Sequence, residues 1–182
     1  MEGMTTPSLS NSPERVLAVD PSLRSTGFAV LERTHRTATA KALTWGVVKN
    51  PASLLQSGCL VNIHQTILEV IEQYAPTVAA FEAVIFVQSY KTAITLGCAR
   101  GAALLAASGR GLSIYEYPPR RVKQAVVGRG GAEKDQVAFM VRALLGLSET
   151  PVPDAADALA VGLTHFQSVD SAELRNRFPE RI

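Results

Sequence analysis

Cysteine is scarce in this chain of 182 residues: Cys59 and Cys98 are its two thiols, and neither stands at Cys-x-x-Cys or Cys/His spacing. That excludes a disulfide framework and a zinc ribbon, and leaves two small apolar side chains in a reducing compartment. Long hydrophobic runs are also missing. The longest apolar stretch, Thr92 to Ala107, is broken by Arg100 and dotted with glycine, which excludes a membrane-spanning helix. The first fourteen residues, rich in Ser, Thr, Pro and Asn, lack a basic start and an apolar core, so they are no signal peptide and read as a flexible tail. A cytoplasmic location is expected. Net charge is low as well, +2, which by itself points to no polyanionic partner.

What is present is more telling. With 47% apolar residues and one continuous pattern, the chain is expected to fold as one domain over residues 15–168, between tails at 1–14 and 169–182. Charge is unevenly spread: from Arg100 to Arg142 eight basic residues face only Glu116, Glu133 and Asp135. Such a stretch is either a solvated face or a phosphate-binding surface.

Val16 to Val19 reads as a buried strand that ends at Asp20-Pro21-Ser22. Gly27 to Leu31 reads as its return and Thr39 to Lys49 as a third strand of a meander. Ser53 to Tyr74 has helical spacing and stops at Pro76; Val78 to Phe81 is a strand leading into Glu82. Ser89 to Ser108 is a helix with Ala93, Gly97 and Gly101 on one side, a face that admits close approach of another backbone. Leu112 to Tyr115 is a fifth strand. Helices follow at Pro118 to Val126, Ala132 to Leu147 and Pro153 to Phe166. This order predicts an α/β fold, a mixed five-stranded sheet flanked by helices, in the ribonuclease H-like layout.

Four carboxylates stand out in this frame. Asp20 and Glu82 end two strand patterns, and Asp154 and Asp157 open an alanine-rich helix one turn apart, on one face. Taken singly, an Asp before Pro is a turn residue and Asp154 a helix cap. Together they are costly to bring into one place without a cation, because like charges repel and desolvation disfavours the ionised form. An all-oxygen set suits hard divalent ions.

Five segments then carry a resemblance: Val19 to Gly27, Leu96 to Gly101, Arg121 to Gly128, Ala132 to Lys134, and Asp154 to Ala160. In this order they closely resemble the RuvC family of Holliday-junction resolvases, from about Val16 to His165. The resemblance implies a structure-selective endodeoxyribonuclease that nicks four-way DNA junctions in symmetric pairs during recombination and repair. Two Mg²⁺ ions, with Mn²⁺ as a substitute, would be held by Asp20, Glu82, Asp154 and Asp157, Asp20 bridging both. Such a pair activates water and stabilises the leaving 3′-oxygen. By the same resemblance Lys123 and Lys134 place ammonium groups against the reacting phosphate, which stabilises its extra negative charge. Arg24, Arg100, Arg120, Arg121 and Arg129 are candidates for DNA-backbone contacts, which position DNA without reading it.

Two departures from the family pattern stand in the chain. Where the family carries an aromatic residue after the glutamate, this sequence has Ile85 and Phe86; Phe86 is the one that can stack on a base, for about 1–3 kcal/mol. Ser22 replaces the usual glycine after Asp-Pro. The family also implies a homodimer matched to the twofold junction, and the branch-migration proteins RuvA and RuvB as partners. The Ala93-Gly97-Gly101 face is either part of that dimer interface or packs on the protein's own sheet. Other readings of the acids are a ribonuclease H-like nuclease for other branched or RNA-containing substrates, and a non-cleaving junction-binding module.

Overall fold

The computed structural model describes residues 13–36, 38–85, 89–171 and 180–182. Apolar runs bounded by turn residues form the strands of one sheet. β1 (Glu14–Asp20), β2 (Ser25–Arg33) and β3 (Lys41–Lys49) make the antiparallel meander. β4 (Val78–Glu82) pairs in parallel with β1, and β5 (Ser113–Tyr117) in parallel with β4. Parallel neighbours need crossovers, and α1 (Gln56–Tyr74) and α2 (Tyr90–Gly109) supply them; α3 (Pro119–Val127), α4 (Lys134–Leu145) and α5 (Pro153–Asp170) follow.

The sheet has six strands rather than the expected five, in the order β3-β2-β1-β4-β5-β6, because Glu180–Arg181 form a short β6 antiparallel to β5. Two charged residues carry neither alternation nor β-branching, so nothing in the sequence pattern marks them as a strand. Glu14 is the first residue of β1, and α5 runs past residue 168 to Asp170. Residues 1–12 and 172–179 of the two expected tails lie outside the described residues.

The helices divide between the two faces. α1 and α2 cover one, with Ile63, Ile67 and Ala103 in a core with Leu17, Val19 and Phe81. α3, α4 and α5 cover the other, where Val122, Val141 and Leu159 cluster with Val16, Ala18 and Leu31. α5 is the central helix: from Ala155 to Phe166 every residue except Asp157 is buried. Its small side chains permit this. A Cβ at Gly162 would come 2.6 Å from Leu31 Cδ1, so glycine lets the helix settle onto β1 and β2.

On α2, Ala99, Ala103, Ala106 and Ala107 turn to the core. Gly97 and Gly101 are exposed, and a Cβ at either would meet nothing within 4 Å. Of the two readings of the Ala93-Gly97-Gly101 face, packing on the protein's own sheet is therefore not what the fold does. The glycines face outward beside the exposed Tyr90, Ile94 and Leu105.

Candidate active site

Strand pairing delivers the first two acids. Val19 of β1 pairs with Phe81 of β4, so Asp20 and Glu82, one residue further, end adjacent parallel strands at the same edge. Carboxyl ends of parallel strands are where open α/β sheets take ligands. Ala18 and Ala80 lie in the core under α5. By the alternation of a strand, Asp20 and Glu82 point to that same side.

The helix delivers the other two. Asp20 pairs across β1 and β2 with Gly27, and a Cβ on Gly27 would fall 1.9 Å from the backbone oxygen of Asp154. Only glycine lets the first turn of α5 lie directly on β2. Pro153 opens that turn, and Asp154 and Asp157 share one face of it. Carboxylate oxygens of Asp20, Asp154 and Asp157 come to lie within 4.8 Å of one another. The helix N-cap is Val152, so Asp154 is no cap; its Oδ2 accepts a hydrogen bond from the Ser25 hydroxyl.

Burial pushes the Asp20 carboxyl well above the usual carboxylate range, with the charges of Glu82, Asp157 and Asp154 acting in the same direction. Burial and the charge of Asp157 do the same to Glu82, while a hydrogen bond with Asp20 and the nearby lysines pull it back. Lys134 Nζ donates to Asp157 Oδ2 at 2.9 Å, and that bond raises the lysine's own pKa. This is a half-buried concentration of negative charge with few cations of its own. The donors are all oxygen, and the residues present fit a hard divalent cation.

Two clefts open on the acids and share Asp20, Glu82 and Pro119. One, about 300 Å³, contains Lys123, Lys134 and Asp157. The other, about 400 Å³, is lined by Pro21, Val84, Ile85, Leu96 and Arg120. Asp20, Glu82, Asp157, Lys123 and Lys134 thus line one cleft, with Asp154 beside them and Arg120 on the adjoining one. Phe86 lies outside the described residues, while Ile85 is 65% exposed at the cleft mouth.

The remaining arginines are engaged elsewhere. Arg24 Nη1 donates to the carbonyls of Pro51 and Leu54, at 2.7 and 2.9 Å, tying down the loop before α1. Arg100 pairs with Glu116 across α2 and β5, in a separate cleft with Ala93 and Gly97. Arg121 turns partly inward, its Nε buried, and Arg129 donates to Gln136 on α4 at 2.9 Å. Sequence reasoning missed Ser25. A serine opening a strand carries no signal of a bond to a residue 129 positions away.

Comparison with known proteins identifies the family. The family model described as crossover junction endodeoxyribonuclease RuvC matches residues 16–165. The chain is similar to a crossover junction endodeoxyribonuclease RuvC of Akkermansia muciniphila, 54% identical over 156 residues, covering 86% of this chain and 92% of that protein. It is also similar to the structure of Thermus thermophilus RuvC in complex with Holliday junction substrate, with a TM-score of 0.82 and 35% identity over 93% of this chain and 99% of that one. At 14% identity and a TM-score of 0.57, the yeast mitochondrial Holliday junction resolvase Ydc2, aligned over 90% of this chain and 82% of its own, shares the fold. A model match spanning most of the chain, and over half of the aligned residues shared with a curated relative, leave one conclusion: this chain belongs to the RuvC family of crossover junction endodeoxyribonucleases.

Proposed function

We propose that this protein resolves four-way DNA junctions by paired symmetric nicks, with Asp20, Glu82, Asp154 and Asp157 holding Mg²⁺ ions. The observation that carries the reading is the convergence of three carboxylates within 4.8 Å at the end of β1, beside Glu82 and two lysines. A binding module that cuts nothing has no use for so unfavourable a cluster. When bound there, Mg²⁺ supplies Lewis-acid charge and an activated water for phosphodiester hydrolysis.

The chain's own residues do the rest. Lys134 holds Asp157 and, with Lys123, puts positive charge beside the acids, where a phosphate gains negative charge as it reacts. Arg120 extends that charge along the second cleft, whose apolar wall of Val84, Ile85 and Leu96 suits a sugar or base next to the cut. Phe86, Arg24, Arg100, Arg121 and Arg129 remain candidates for contacts with the junction arms. The outward glycine face of α2 supports a homodimer, in which one close-packed helix pair would set two sites against the two strands of a junction. RuvA and RuvB are the expected branch-migration partners. The location is cytoplasmic in this reading, and among the described residues no helix is long and apolar enough to cross a membrane.

The test is to offer purified protein a four-way junction, a duplex, a flap and an RNA–DNA hybrid, each with and without Mg²⁺. Symmetric paired nicks in the junction, dependent on the metal, are the expected result. Preferential cutting of the hybrid would overturn the reading in favour of a ribonuclease H-like activity.

A further inference from the structure

Asp154 is the second residue of α5, whose N-cap Val152 offers no side-chain cap bond, and the Asp154 carboxylate accepts a hydrogen bond from Ser25 Oγ on β2. We propose that Ser25 is a positioning residue for the metal site, holding the Asp154 carboxylate so that its remaining lone pairs face Asp20 and Asp157. The proposal rests on the metal-binding reading of the four acids.

Two features of the fold make Ser25 suited to this. Its backbone is the first residue of β2 and is paired with Lys49 of β3, so the hydroxyl stands on a fixed base. Two residues on, Gly27 touches the backbone of Asp154 itself, so one close approach sets the position of both donor and acceptor. Without a donor, the carboxylate turns freely about its last torsion. The charge of Asp157, with its oxygen within 4.8 Å, then drives it outward. The hydroxyl occupies one lone pair of Oδ2 and opposes that rotation. Asp157 has its own orienter in Lys134, and Ser25 is the corresponding group for Asp154. Hydrogen bonds of this kind, one shell out from a ligand, typically contribute about 10–100-fold to metal affinity.

The experiment titrates Mn²⁺ into the whole chain without DNA and reads free ion by electron paramagnetic resonance. Ser25→Ala and Ser25→Val lack the donor, and their dissociation constants are expected to rise about tenfold. Ser25→Thr keeps a hydroxyl on valine's shape and is expected to stay within about threefold of the unmodified protein. Equal affinity in Ser25→Ala and the unmodified protein overturns the proposal, as does a Ser25→Thr that binds as weakly as Ser25→Val. Asp154→Asn, measured alongside, separates the two levels. If it weakens Mn²⁺ binding and Ser25→Ala does not, the role of Ser25 alone falls. If Asp154→Asn binds as the unmodified protein does, the metal reading falls and the role of Ser25 with it. Thermal melts in EDTA identify any variant that fails to fold; should Ser25→Val do so, the contrast between the Ala and Thr variants still decides the matter.

Discussion

At the N-terminal end of α5, Asp154 and Asp157 meet Asp20 and Glu82, with Lys134 bonded to one of the four. At its C-terminal end, about 16 Å further along the axis, Arg33 lies with its side chain 3% exposed between Glu14 and Asp170, 4.3 Å from the centre of the Phe166 ring. There Tyr117 bonds to His165 Nδ1 at 2.8 Å, and burial with the nearby Arg33 charge lowers the histidine's pKa to about 4, keeping it neutral. Both ends bury ionisable groups, but the far end supplies each with a partner from the chain. The near end leaves carboxylates against one another, as buried charges rarely are without a ligand. Residues selected for stability satisfy themselves; residues that serve a ligand do not.

The sharpest way to test that contrast is to remove one charge from the near end. Asp20→Asn is expected to lower junction cutting by on the order of a thousandfold, while binding of junction in EDTA persists. The same variant should be more stable than the metal-free parent by about 1–3 kcal/mol, because repulsion and desolvation are relieved. A variant that is inactive and also less stable would mean the cluster is satisfied without a cation, and the contrast between the ends would fail.

Gly27→Ala strikes the backbone contact rather than the charge. Its Cβ would lie 1.9 Å from the Asp154 carbonyl oxygen, so the first turn of α5 must shift. Overpacking of this kind costs about 3 kcal/mol, and displacement of Asp154 by about 1 Å lowers the cutting rate about a hundredfold. Thermal melts and single-turnover cutting on the same samples separate the two effects.

The far end gives the converse. Arg33→Met keeps the apolar stem over Phe166 but leaves Glu14 and Asp170 without their cation. Each acid retains about a third of its surface in water, so the loss should be about 2 kcal/mol, below the range for a fully buried pair. Cutting measured well below the melting point should not change. A parallel loss of cutting would show that α5 couples its two ends.

The near end was legible in the sequence because each acid sits where a pattern changes: Asp20 and Glu82 at the close of apolar runs, and Asp154 with Asp157 after Pro153 at helical spacing. Strand pairing and one glycine then suffice to gather them. The far end was not legible. A charge at the end of a strand, as Arg33 is, reads as solvated, and its burial follows from the return of α5 to Asp170 from 137 residues away. The partners of the arginines were not legible for a related reason. Charge along a sequence does not say where a guanidinium turns, and Arg24 turns to carbonyls of the loop before α1, whose N-cap Leu55 provides no side-chain acceptor or donor.

The gentlest perturbation is pH, and it should push the two ends in opposite directions. Without metal, Asp20 and Glu82 have pKa values raised to about 8 and about 7, from ordinary values of 3.8 and 4.5. The folded protein therefore holds more protons than the unfolded chain over that interval, and stability falls as pH rises through it. His165, lowered to about 4 from 6.5, holds fewer protons when folded, so its contribution is complete above pH 6.5 and is lost as pH falls toward 4. One fully linked proton changes stability by about 1.4 kcal/mol per pH unit. Between pH 4 and 6.5 the two slopes oppose each other, and above 6.5 only the near end acts. Metal-free melts should thus decline from pH 6.5 to 8, and saturating Mg²⁺ should abolish the decline because the cation replaces the protons. In Asp20→Asn the opposing slope weakens, and the rise from pH 4 to 6.5 that belongs to His165 should emerge. A decline that persists in Asp20→Asn with Mg²⁺ present would have to come from outside the acid cluster, and the division of labour along α5 would then be drawn in the wrong place.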